Sequence, residues 1–177
     1  LLPRLAAQNY PEDRFEIILV NDRSGDKTLS VMKDFALRHK RVRVIDVREV
    51  PERISPKKNA IARAIRESRG DIIVTTDADC LPGTGWLRAM AGGFTPDTGM
   101  VLGYAPYRTD GPYSSLFHRL LALDYFAMGA VTAASARLGF PITCNGANLA
   151  YRRSAFEAAD GFGASGRWLS GDDDLLM

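Results

Sequence analysis

Ile72-Ile73-Val74-Thr75-Thr76-Asp77-Ala78-Asp79 is the stretch that decides the fold. Five β-branched residues in a row mark a strand covered on both faces, and two carboxylates end it abruptly. Two more apolar runs precede it, Phe15-Glu16-Ile17-Ile18-Leu19-Val20 and Val42-Arg43-Val44-Ile45-Asp46-Val47. Helical spacing fills the intervals between them. Leu29, Met32, Phe35 and Ala36 recur on one face after the turn residues 21–26. Ser55-Pro56 opens a further helix, with Ser as cap and Pro in the first turn. Ile61, Ala62 and Ile65 form its apolar side, and Gly70 is expected to close it. Strands alternating with helices predict an α/β unit with a mainly parallel central sheet flanked by helices.

Outside this core, residues 1–7 read as a short helix and Trp86 to Phe94 as another. Met100 to Tyr104 reads as a weaker fourth strand. Leu116 to Ala136 reads as a long helix whose leucines and aromatics serve packing; a membrane-surface role is the minority reading. Residues 148–151 read as a strand, 153–159 as a short helix, and 161–171 as a glycine-rich loop.

The chain has 177 residues, a length suited to one domain with a real core. Its 23 Lys+Arg nearly cancel 21 Asp+Glu, which excludes a nucleic-acid binder that works by bulk charge. A hydrophobic fraction of 46% excludes disorder. Cys80 and Cys144 are too few for a disulfide framework or a four-cysteine zinc site, and read as reduced thiols in a cytosolic setting. No secretory leader or apolar membrane span is visible. The chain begins without Met and stops at Leu175-Leu176-Met177, so it reads as a soluble piece of a longer protein.

In open α/β sheets ligands bind beyond the carboxyl ends of the strands. The polar groups there are Asn21, Asp22, Asp77 and Asp79. An Asp-x-Asp pair at a strand end can share a hard cation with a substrate diphosphate, although solvated turn aspartates are common. Asp22 at the same edge can accept a hydrogen bond from a base N–H or a ribose hydroxyl. Ser24, Asp26 and Thr28 beside it are also good helix caps. Lys57-Lys58 opposes the dipole of the helix it opens, which points to an anion about as well as to a solvated basic turn. Asp172-Asp173-Asp174 after Gly171 offers a general base or merely an acidic helix start. His39 and His118 read as surface or packing residues.

Taken in order, 20–26, Lys57-Lys58, Thr76-Asp77-Ala78-Asp79, the Gly146-Ala147-Asn148 segment running to Arg153, and 171–174 resemble the motifs of family 2 glycosyltransferases. The resemblance covers nearly the whole chain and implies one GT-A type domain. Residues 1–104 would form a Rossmann-like nucleotide-sugar-binding half and 105–177 an acceptor-side half. It implies that Asp22 holds the nucleobase, with Asn21 standing where an aspartate is more common. Lys57, or Lys58 in its place, would lie near the nucleotide. Asp79 would hold Mg2+ or Mn2+, and Asp77 would lie nearer the ribose and sugar. Gly146 and Asn148 would line the acceptor side with Asp172, and Asp173 would be the catalytic base.

The implied reaction is an inverting transfer of a sugar from a nucleotide-diphosphate donor, of the UDP-sugar type, to an acceptor hydroxyl. The acceptor would be a saccharide or a lipid-linked molecule, as in polysaccharide or cell-envelope synthesis. No nucleic acid would be involved. The parent protein would be attached to the cytoplasmic side of the cell membrane. The resemblance also places a further strand before Leu1, without which the sheet lacks a central element. The competing readings are a metal-dependent nucleotidyltransferase and a degenerate, non-catalytic binding domain. An aspartyl phosphatase fits less well, because Leu81-Pro82 follow Cys80 where it would want Ser or Thr.

Overall fold

The computed structural model describes residues 1–52, 54–163, 166 and 171. Its elements follow the chain as α1 (Leu2–Ala6), β1 (Ile17–Asp22), α2 (Thr28–Arg38), β2 (Val42–Val47), α3 (Pro56–Glu67) and β3 (Ile72–Thr75). Then come α4 (Trp86–Gly92), β4 (Met100–Leu102), α5 (Leu116–Arg137), β5 (Leu149–Arg152) and α6 (Arg153–Ala158). Short 3-10 turns lie at Glu12–Arg14, Gly111–Tyr113 and Gly146–Asn148. The α/β alternation is as the sequence reads.

Hydrogen bonding sorts the strands into two sheets. β1 and β2 pair in parallel, with Ile17 opposite Val42 and Asp22 opposite Val47. β5 lies between β3 and β4 and runs antiparallel to both. Parallel pairing among the described strands is thus confined to β1–β2. The antiparallel pairs arise because β5 enters from the second half of the chain and inserts between two strands of the first.

β1 begins two residues later than its apolar run and continues through the polar Asn21 and Asp22. The reason is a cross-strand pair. Asn21 stands opposite Asp46 in the register, and its Nδ2 donates to Asp46 Oδ1 at 2.8 Å. That bond continues the ladder past the end of the hydrophobic segment.

Two apolar clusters anchor the halves. Leu5, Ile17, Leu19, Phe35 and Val42 pack α1 and α2 onto the first sheet. Ile65, Leu149 and Tyr151, with Ile61, Ile73 and Met100 around them, pack α3 onto the second. α3 therefore serves both sheets, lying on β1 and contributing Ile65 to the core of β3–β5. Burying one such side chain contributes about 1.5–3 kcal/mol.

Polar knots close the ends of α3. Ser55 stands at its N-cap position, but makes no side-chain capping bond; its backbone N–H donates to Gly166 O at 2.8 Å. The helix ends at Glu67 with Ser68 extended, short of the expected Gly70. Arg153 ties this end to the residues beyond it: its guanidinium donates to Ile65 O at 2.6 Å, Ser68 O at 2.9 Å and Gly70 O. A cation at the negative end of a helix is favoured, so Arg153 supplies the termination that glycine was expected to give. The N-cap position of α2 falls on Lys27 rather than on Ser24, Asp26 or Thr28, and no side chain caps the helix; Asp26 Oδ1 accepts from Thr28 N–H at 2.9 Å in the turn before it.

α5 touches the rest of the protein along a narrow stripe and none of its residues is buried. Leu116, Phe117, Leu120, Leu123, Phe126 and Met128 all stand exposed. Among the described residues no helix is long and apolar enough to cross a membrane.

Candidate functional site

Parallel pairing brings the carboxyl ends of β1 and β2 to one rim. The chain leaves β2 at Val47 and enters α3 at Pro56, so the first turn of α3 sits at that rim as well. From this turn Lys57 reaches across to the second sheet. Its Nζ lies 3.4 Å from Oδ1 of Asp77, two residues beyond β3. Lys57 thus joins the end of β1–β2, where Asp22 stands, to the Asp-x-Asp turn. Lys57 and Asp77 are both about half exposed, so their pair is open to an incoming ligand.

Asp22 is the last residue of β1, and Arg23 Nε donates to its Oδ1 at 2.8 Å. Arg23 has φ +54°, a left-handed conformation costly for a residue with a Cβ, and it turns the chain sharply off the strand. Asn21 is 3% exposed and faces Asp46 rather than the rim, and its Oδ1 is buried without a hydrogen-bond partner. The Asn21 amide and then Arg48 hold the Asp46 carboxyl below the ordinary carboxylate range. Lys58 points inward. It is 1% exposed, with its Nζ 5.9 Å from the Phe162 ring. Among the described residues, Lys57 is the lysine that meets Asp77.

Asp79 stands exposed on the turn after β3. Behind it the 145–148 segment is bound to the same strand end. Thr75 Oγ1 donates to Gly146 O at 2.9 Å, and Cys80 Sγ lies 3.9 Å from both Asp79 Oδ1 and Ala147 O. Gly146 is buried, while both ends of the Asn148 carboxamide are committed internally. Asn148 Oδ1 accepts from Trp86 Nε1 at 2.8 Å, and its Nδ2 donates to Tyr104 O at 3.0 Å. Asn148 thus positions the segment, tying α4 to the end of β4.

The structure brings together Lys57, Asp77, Asp79, Gly146 and Asn148, with Asp22 at the same rim. Asp172 and Asp173 lie outside the described residues. Thr75 and Trp86, which hold the 145–148 segment, were not singled out in the sequence. A hydroxyl closing an apolar strand and an indole opening a helix were the available signals. Two cavities, of about 370 and 730 Å3, lie elsewhere, one beneath α5 and one between α3 and α6. The candidate site is an open rim.

No group of three or more His, Cys, Asp and Glu arranged to hold a metal occurs among the described residues. That is compatible with magnesium or manganese bound by one or two carboxylates, with substrate oxygens and water completing the shell. Asp79, exposed and acceptor-only, fits that partial donor set; Asp77 already faces Lys57.

Comparison with known proteins gives the family and the fold. Residues 1–159 match the family model described as Glycosyl transferase family 2. The probable glycosyltransferase YdaM of Bacillus subtilis (strain 168) is 29% identical over 171 residues, covering 95% of this chain and 40% of that protein. An N-acetylglucosaminyltransferase of Sinorhizobium fredii is 30% identical over 159 residues, covering 87% of this chain and 36% of that protein. This chain thus spans less than half the length of these relatives. Among solved structures, residues 1–349 of S. aureus TarS superpose with a TM-score of 0.57 at 19% identity, covering 99% of this chain and 48% of that one. A second structure of the same region, in complex with UDP-GlcNAc, also gives 0.57, covering 90% of this chain and 42% of that one. This likeness shows a shared GT-A type fold. With most of its length matched by the family model, the chain belongs to glycosyl transferase family 2.

Proposed function

We propose that this chain forms the donor-binding part of a metal-dependent, inverting glycosyltransferase that takes its sugar from a uridine diphosphate sugar. The observation that carries the reading is the Lys57–Asp77 pair at 3.4 Å, which places a cation and a carboxylate between the Asp22 rim and the 145–148 segment. A diphosphate sugar needs such a setting: a cation for its phosphates and carboxylates for its ribose and sugar hydroxyls. The family membership and the UDP-GlcNAc complex of TarS support the same donor class.

In this reading Asp22 accepts from the nucleobase, and Lys57 turns from Asp77 towards the diphosphate as the donor arrives. Asp77 is then released to accept from a ribose or sugar hydroxyl. Asp79 holds a divalent cation, which when bound offsets the charge that grows on the departing diphosphate. Asp173 takes the proton of the acceptor hydroxyl as that oxygen attacks the anomeric carbon from the face opposite the leaving group. A single displacement of this kind inverts the anomeric centre. Asp172 and Gly146 belong to the acceptor side. The same reading attaches the whole protein to the cytoplasmic face of a membrane, where sugar nucleotides occur; the exposed apolar face of α5 supports attachment to a larger assembly or surface.

Calorimetric titration of UDP into the protein, with and without Mn2+, tests the donor site. Binding that needs Mn2+, and that Asp79→Asn weakens about tenfold or more, is expected. UDP affinity indifferent to both the metal and Asp79 refutes the proposed role of the turn.

A further inference from the structure

The segment that closes the rim also carries a group of tyrosines. Tyr104 lies two residues beyond β4, and its carbonyl accepts from Asn148. Its ring stacks on Tyr125 of α5, with centroids 5.8 Å apart and planes 29° apart. Tyr107 meets Tyr125 as well, at 4.7 Å. Tyr125 thus contacts both partners, and its hydroxyl accepts from Asn145 Nδ2. Asn145 Oδ1 in turn accepts from Ala147 N–H at 3.0 Å, the residue whose carbonyl faces Cys80 beside Asp79. The cluster is therefore joined to the Asp77–Asp79 turn through one short run of chain.

The packing beneath it is specific. A Cβ on Gly129 would stand 2.7 Å from Cδ2 of Tyr104, so this helical glycine makes the notch in which the ring lies. α5 touches the rest of the protein along a narrow stripe, and Tyr125 and Gly129 of that stripe hold Tyr104. Yet Tyr104 and Tyr107 remain 41% and 57% exposed. Aromatic surface that is held by packing and left open to water, joined to the Asp77–Asp79 turn, is available to a ligand.

We propose that Tyr104 and Tyr107, held from below by Tyr125, form the platform on which a saccharide acceptor stacks, which makes the acceptor a sugar rather than a lipid phosphate or a protein hydroxyl. The inference rests on the transferase reading above. A pyranose has an apolar face of C–H groups and a rim of hydroxyls. A tyrosine offers the complement, an apolar face with a negative π cloud and a phenol at its edge. The outer face of α5, by contrast, presents Leu116, Leu120 and Leu123, which offer no hydrogen bond to a hydroxyl. Asn145 and Asn148, at the base of the cluster, hold it in register with the donor rim.

Saturation-transfer NMR with cellotetraose and tetra-N-acetylchitotetraose tests the platform, with a UDP titration run in parallel. At least one of the two saccharides is expected to receive saturation from the protein. Tyr107→Ala is expected to weaken that binding by about fivefold to tenfold, and Tyr107→Phe to retain most of it. Ring resonances of Tyr104 and Tyr107 should shift on saccharide addition. Binding of neither saccharide, or binding unchanged by Tyr107→Ala, overturns the proposal. Absence of UDP binding overturns the donor reading instead, and the two failures are read from separate titrations.

Discussion

Replacing Asn148 with alanine tests how the acceptor-side segment is held. The change removes the acceptor of the Trp86 indole N–H and the donor to Tyr104 O, bonds of 2.8 and 3.0 Å. The Trp86 N–H is partly shielded from water and costs about 1–2 kcal/mol when left unsatisfied, while the exposed Tyr104 carbonyl, open to water, costs about 0.5–1 kcal/mol. The truncation also opens space beside Gly103, where a Cβ would now meet the carboxamide at 2.4 Å. The sum is about 1.5–3 kcal/mol, a fall in Tm of about 3–12 °C for a chain of this size. Urea unfolding followed by tryptophan emission is the assay, because Trp86 loses its hydrogen-bond partner directly. Gly103→Ala alone is expected to cost a similar amount, by forcing the same carboxamide aside. The two changes together should cost less than their sum, since the new methyl enters the space that Asn148 vacates. Asn148→Ala within 0.5 kcal/mol of the parent, or strict additivity in the pair, would mean that the tie does not hold the segment.

Three further outcomes follow from the same contacts. Glu16 accepts from Arg43 at 2.8 Å and from the Arg69 N–H; burial raises its pKa, but these two partners together outweigh burial and hold the carboxyl below 4.5. Its stabilising contribution is therefore full above the ordinary glutamate value and is lost as pH falls through the lower folded value. Glu16→Gln should cost about 1 kcal/mol at pH 7 and flatten the stability-against-pH curve below about pH 4.5, read by urea titration at several pH values. Arg153→Ala should destabilise by about 1–3 kcal/mol, because the Ser68 and Gly70 carbonyls just beyond α3 lose the guanidinium and Ile65 O is left with its bonds from Ser68; an amide-exchange experiment should show the last turn of α3 opening first. Lys57→Met should weaken UDP binding about tenfold while moving stability by under about 1 kcal/mol, since its ion pair with Asp77 is exposed.

The local part of the fold was legible because short-range rules govern it. β2 occupies the six residues of its apolar run, and α5 begins at the Leu116 expected for it. The partnering was not. Nothing in Leu149-Ala150-Tyr151 says that it lies antiparallel between β3 and β4, because β-branched and aromatic runs pair equally well in either direction. Asn148 reads as a polar residue near an acceptor. Its two hydrogen bonds run to residues 62 and 44 positions away, and no local pattern carries them.

The choice between Lys57 and Lys58 lies between these cases. Adjacent residues on a helix point about 100° apart, so only one can face the rim. The phase was available in the sequence: Lys58 lies three and seven residues before Ile61 and Ile65, on the apolar stripe of α3, and Lys57 does not. Helix geometry therefore sends Lys58 towards Phe162 and leaves Lys57 to meet Asp77. What periodicity alone could not supply is that the strand carrying Asp77 would end opposite that turn. That depends on α3 lying on β1 while Ile65 packs into the second sheet, a contact between segments far apart in the chain. The site is thus set by one helix that packs on both sheets, and changes along α3 that spare Lys57 should still move the distance between it and Asp77.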